Sequence, residues 1–99
     1  MRLTEQETQA IRAVARRRFG EKAVVRLFGS RVDDARSGGD IDIHITTDRQ
    51  EDASLKHEVE FLADLEELIG ERKVDLVVRG PEREPDYIDL VAEHSGVRL

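Results

Sequence analysis

Cysteine is absent from this chain of 99 residues, so neither a disulfide framework nor a thiolate metal site is available to it. Stability must then come from burial of apolar side chains, and these are mostly aliphatic, because the aromatics number only three Phe and one Tyr. A long apolar run is also missing. No stretch approaches the roughly 20 residues needed to cross a bilayer, and the N-terminal MRLTEQETQA lacks the apolar core of a secretion signal. The expectation is a soluble, cytoplasmic protein with no membrane partner. Excess positive charge is the third absence: the formal net charge is −6, which argues against a long nucleic-acid duplex as partner, since phosphate backbones are held mainly by Lys and Arg. The length suits one domain over residues 1–99.

What is present alternates between helical and strand patterns. Thr4-Glu5-Gln6-Glu7 has the form of a capping box, and Leu3, Glu7, Ala10, Ile11, Val14 and Ala15 recur at near-helical spacing up to Gly20. Ala23 to Phe28 reads as a short buried strand, and GSRVDDARSGG from Gly29 to Gly39 as a turn, at most a short helix, and a loop. Asp40 to Thr46, DIDIHIT, alternates strictly, so Ile41, Ile43 and Ile45 form a core face while Asp40, Asp42 and His44 share the other. A helix is expected from about Asp52 to Ile69, with Leu55, Val59, Leu62, Leu65, Leu68 and Ile69 on its apolar stripe. Lys73 to Arg79 reads as a strand that Gly80-Pro81 closes, and Tyr87 to His94 as a last short helix before Gly96-Val97. The expected fold class is α/β (α+β), a small mixed sheet flanked by helices.

Three carboxylates, Asp40, Asp42 and Asp75, would then project from two strands onto one surface. Like charges so close are costly unless a cation offsets them, and hard oxygen ligands suit magnesium or manganese rather than zinc. Gly29-Ser30 at a strand end offers backbone amides and a hydroxyl to a phosphate. Together they would place the α-phosphorus of a nucleoside triphosphate between an acceptor and a departing pyrophosphate.

Gly29-Ser30, nine intervening residues, Asp40-Ile41-Asp42, and a third acid in Val74-Asp75-Leu76-Val77 resemble the signature of the polymerase-β-type nucleotidyltransferase superfamily. The chain is most similar in pattern to the minimal nucleotidyltransferases (MNT), antitoxins that act beside HEPN-domain toxins. The resemblance implies the nucleotidyltransferase fold and ATP as substrate. It also implies that Gly29, Ser30 and Arg31 bind the nucleotide and that Asp40, Asp42 and Asp75 bind Mg2+ or Mn2+, with Asp75 activating the acceptor. Three departures stand out: Val32-Asp33-Asp34 where such proteins often have Ala-Arg-Gly, Gly39 where Ser is common, and His44 in place of an aliphatic residue.

The activity the resemblance implies is transfer of AMP to a hydroxyl, a tyrosine of a partner HEPN toxin. The alternatives are a binding module of the same fold that occludes a toxin without catalysis, and transfer to RNA or a small molecule. After Asp75 only 24 residues follow, too few for a second domain that would position the acceptor, so a macromolecular partner is expected to supply that surface. The remaining polar residues have plainer readings. His44 reads as a polar residue on a half-exposed strand, His57 and His94 as helix surface, Arg16-Arg17-Arg18 as a solvated helix end, and the acids from Glu58 to Glu71 as an exposed helix side. Tyr87 reads as packing or surface.

Overall fold

In the computed structural model, residues 3–28 and 41–99 are described; Gly29, Ser30, Arg31 and Asp40 lie outside them. The first helix, α1 (Glu5–Phe19), starts as its sequence directs: the Glu7 N–H donates to Thr4 Oγ1 at 3.0 Å and the Thr4 N–H to Glu7 Oε1 at 2.9 Å. A cap of this kind is worth about 1 kcal/mol. Gly20, at φ 100°, ends it. The carbonyls left over at its C-terminus are met from elsewhere in the fold, that of Phe19 by Thr47 Oγ1 at 2.7 Å and that of Arg18 by His57 Nδ1 at 2.5 Å. His57 is thus not a plain surface residue. Its ring nitrogen donates across 39 positions of sequence to hold two helices together.

Four strands follow: β1 (Val24–Leu27), β2 (Ile41–Thr46), β3 (Val74–Arg79) and β4 (Val97–Arg98). They form one mixed sheet in the order β3-β2-β1-β4, with β1 antiparallel to both β2 and β4, and β2 parallel to β3. A parallel pair needs a long crossover, and the helix α2 (Leu55–Ile69) provides it. The observed class is the small α/β arrangement expected, a sheet with helices on both faces. β4 is an addition the sequence did not announce: two residues reach β1 only because Gly96 passes so close to the Ala92 and Leu27 carbonyl oxygens that a Cβ there would strike both.

The isoleucine face is the core. Ile41, Ile43 and Ile45 pack with Val25 and Leu27 beneath Ile11, Val14 and Phe19 of α1 and Phe61 and Leu65 of α2. Each such side chain stabilises the fold by about 1.5–3 kcal/mol through burial. The helix α2 departs from its expected outline in two ways. It begins at Leu55 rather than near Asp52, because Ser54 accepts the His57 N–H while Asp52 sits in a preceding 3-10 turn, buried against Arg49 at 2.9 Å. Its buried face runs through Phe61 and Leu65, whereas Leu55, Val59 and Leu68 are exposed by 74 %, 56 % and 58 %. Phe61 decides the rotation, because its ring packs on that of Phe19 at 5.8 Å and carries Leu65, one turn on, into the core with it. The acids of α2 are not all solvated either: Asp64 and Glu60 bind Arg18 at 2.8 and 3.3 Å, and Asp64 also binds Arg17 at 3.5 Å.

Candidate active site

The second face of the sheet carries the polar residues. Parallel pairing of β2 with β3 sets Asp42 opposite Asp75, His44 opposite Val77, and Thr46 opposite Arg79. Neighbouring strands lie about 4.8 Å apart, so the two aspartates project side by side from one face. Asp42 is half-buried and Asp75, on the edge strand, is exposed. On the other side of Asp42, its carbonyl accepts the Phe28 N–H at 3.1 Å. The chain therefore leaves the described residues at Phe28 and rejoins them at Ile41, both next to Asp42. Of the six residues expected at the site, Asp42 and Asp75 are brought together; Asp40, Gly29, Ser30 and Arg31 lie outside the described residues. Among the described residues no group of three or more His, Cys, Asp or Glu side chains is placed to hold a metal ion.

The donor chemistry of the aspartate pair nevertheless fits a hard divalent cation. The Asp75 carboxylate makes no hydrogen bond and no ion pair among the described residues, and two carboxylates abreast form an oxygen-only set of the kind magnesium and manganese prefer.

Two positions along β2 from Asp42, His44 is not half-exposed as its strand pattern suggested but entirely buried. The cause is the last helix, α3 (Tyr87–Ser95), which lies across this face. Asp89 of α3, also without solvent contact, sits with Oδ1 2.6 Å from His44 Nε2. The same carboxylate accepts both Arg83 amino groups at 2.7 and 2.9 Å and the Asp86 N–H at 2.7 Å. Burial alone would raise the Asp89 pKa; the hydrogen bonds from Arg83, His44 and the Asp86 amide outweigh it and hold the carboxyl far below the ordinary carboxylate range. In return, the Asp89 hydrogen bond raises the already high pKa of Arg83. An ionised carboxylate only accepts, so the hydrogen of His44 belongs on Nε2. Its Nδ1 is buried with no hydrogen-bond partner among the described residues, and the imidazole meets the Phe28 ring near-perpendicularly at a centroid distance of 6.4 Å.

Asp89 and Arg83 were invisible as site neighbours in the sequence. The available signal was the pairing of Asp86 with an acid three positions on, which marks a helix start. Nothing local says that the second acid turns inward toward β2.

The family model of the nucleotidyltransferase domain matches residues 9–96, which takes in nearly the whole chain and both described aspartates. No curated protein and no solved structure matches it.

Proposed function

Because the chain belongs to the nucleotidyltransferase-domain family, we propose that it moves AMP from ATP onto a hydroxyl, that of a tyrosine on a HEPN-type toxin, and thereby acts as an antitoxin. The observation that carries the catalytic part is the register of Asp42 with Asp75, which sets two carboxylates abreast on adjacent strands at the point where the Gly29 to Asp40 segment joins the sheet. The tyrosine and the toxin rest on the motif resemblance.

In this reading Asp40, Asp42 and Asp75 hold magnesium or manganese, and Gly29, Ser30 and Arg31 hold the triphosphate. Such a cation, when bound, offsets the negative charge that gathers on the phosphoryl oxygens. Asp42 is fixed by the ladders on both sides of β2, so its carboxylate is a rigid donor. Asp75 is exposed at the sheet edge, where an incoming protein can reach it. Its carboxylate orients the acceptor hydroxyl and takes up the proton as the oxygen bonds to the α-phosphorus and pyrophosphate leaves.

The test is to mix the protein with a HEPN-type toxin, ATP labelled at the α-phosphate, and magnesium. The expected result is label on the toxin and a mass gain in units of AMP, lost when the toxin's acceptor tyrosine is changed to phenylalanine. Absence of any complex or mass gain, with label passing instead to RNA or a small alcohol, overturns the assignment of the acceptor.

A further inference from the structure

The isoleucine face of the sheet is not covered evenly. Ile41, Ile43 and Ile45 of β2 are buried, whereas Val74, Leu76 and Val78 of β3, the strand at the sheet edge, are only partly so. The helix α2 leaves a matching side open. Leu55, Val59, Leu62, Glu66 and Ile69 recur at alternate spacings of four and three, the period of a seam between paired helices. Leu62 and Ile69 are partly buried, and Leu55 and Val59 are exposed. As the crossover between parallel strands, α2 runs antiparallel to β3, so this seam and the strand edge form the two walls of an apolar groove. At the C-terminal end of α2 the groove deepens into a cavity of about 140 Å3 between Leu62, Leu65, Ile69 and Val74.

Two carboxylates belong to the α2 wall. Glu66 lines the cavity, and Glu58 stands two turns earlier, in one row with Leu62. Glu58 is half-buried, and burial raises its pKa. Among the described residues neither side chain makes an ion pair or a hydrogen bond. Arg72, which also lines the cavity, is held by Glu7. The acids on the other side of α2 differ, since Glu60 and Asp64 both bind Arg18 of α1. A half-buried carboxylate with no counter-charge is costly, and a cation from outside would offset that cost.

We propose that the groove takes an amphipathic helix of a partner protein, with its apolar stripe on Val59, Leu62 and Val74 and two Lys or Arg side chains meeting Glu58 and Glu66. Such a helix completes the layer over β3 and reads the groove through its apolar period. The two acids are eight positions apart, about 12 Å along the axis, so the partner's cations stand about two helical turns apart. A second copy of this chain lacks that complementarity: α2 against α2 brings acidic faces together in a protein of net charge −6. The groove stands without the catalytic reading but bears on it. Asp75 lies between Val74 and Leu76 and projects from the other face of β3, so a protein seated in the groove has only the sheet edge to pass to bring a hydroxyl there.

The probes are synthetic helical peptides of about 18 residues, long enough to lie along α2. One carries leucines at the four-three spacing flanked by arginines, the second has glutamate for each arginine, and the third is a scramble of the first. Fluorescence anisotropy against the whole protein reads the affinity, with no AMP transfer involved, so the result is separate from the assignment of the acceptor. The arginine peptide is expected to bind about tenfold more tightly than either of the others, and Val59→Ser to weaken it about tenfold. Glu58→Gln and Glu66→Gln should each weaken it about threefold or more, with melting temperatures no lower than the parent's. Leu68→Ser, one turn beyond Asp64 on the side of α2 toward α1, should leave it unchanged. Sedimentation equilibrium of the protein alone should show a monomer; a dimer that Val59→Ser dissociates assigns the groove to a second copy and overturns the proposal. Failure of the arginine peptide to bind, equal binding of all three peptides, or affinity unchanged in Val59→Ser and both Gln variants overturns it as well.

Discussion

Asp75 and Asp42 are neighbours on the ladder but differ in surroundings, and the difference predicts how each responds to mutation. The Asp75 side chain is exposed and makes no hydrogen bond or ion pair among the described residues, so Asp75→Asn removes a charge without removing a side-chain contact to any of them. Its thermal midpoint should match or exceed that of the parent, while AMP transfer is lost; a destabilised variant with intact transfer would contradict the assigned role. Asp89 is the opposite case. Its carboxyl is held far below the ordinary range, so the stability it contributes is complete above the unfolded aspartate pKa of about 3.9 and is lost as pH falls through the lower folded value. Asp89→Asn should therefore cost about 1–3 kcal/mol at neutral pH, through the weakened charge-assisted bonds to the partly exposed Arg83, and should flatten the decline of stability below about pH 4. Denaturation curves of both proteins from pH 7 to pH 2 check this; an equally steep decline in the variant counts against Asp89 as its source. At this scale the sequence was a partial guide. Strict alternation in DIDIHIT placed Asp42 and His44 on one face, as observed. It could not show that α3 roofs His44, because the Asp89 contact spans 45 positions.

Among the elements, those with local instructions were legible. Thr4 and Glu7 mark the start of α1, Gly20 and Gly70 end α1 and α2, and β2 and β3 follow their apolar periods. The misreadings concern choices made by tertiary packing. Six apolar residues on α2 admitted more than one buried arc, and the ring of Phe19 selected the one through Phe61. β4 has two residues, too few for any period, and exists because β1 offered a free edge and Gly96 permits the approach. Gly96→Ala is accordingly expected to cost about 1–3 kcal/mol, since its methyl group meets the carbonyls of Ala92 and Leu27. Urea unfolding measures it, and a neutral effect would show that α3 and β4 shift to accommodate a side chain.

Over the whole molecule, the described helices include none long and apolar enough to cross a membrane, and the formal charge of −6 is unevenly spread. One face of the sheet presents Asp42 and Asp75 beside His44, over which α3 is held by Arg83 and Asp89, and the cross-strand pair Arg26 and Arg98 belongs to this same face, since Arg26 lies opposite His44. The composition announced only the net value; which charges share a face follows from the strand register, because a sheet sends alternate residues to opposite sides. The central claim is that the aspartate face performs nucleotidyl transfer. Its most direct measurement is the rate at which AMP from α-labelled ATP becomes bonded to the acceptor, with magnesium, for the parent and for Asp42→Asn, whose shape is kept and whose charge is gone. The account predicts a fall of about a hundredfold or more with the fold unchanged by circular dichroism. Equal rates for the two proteins would contradict it.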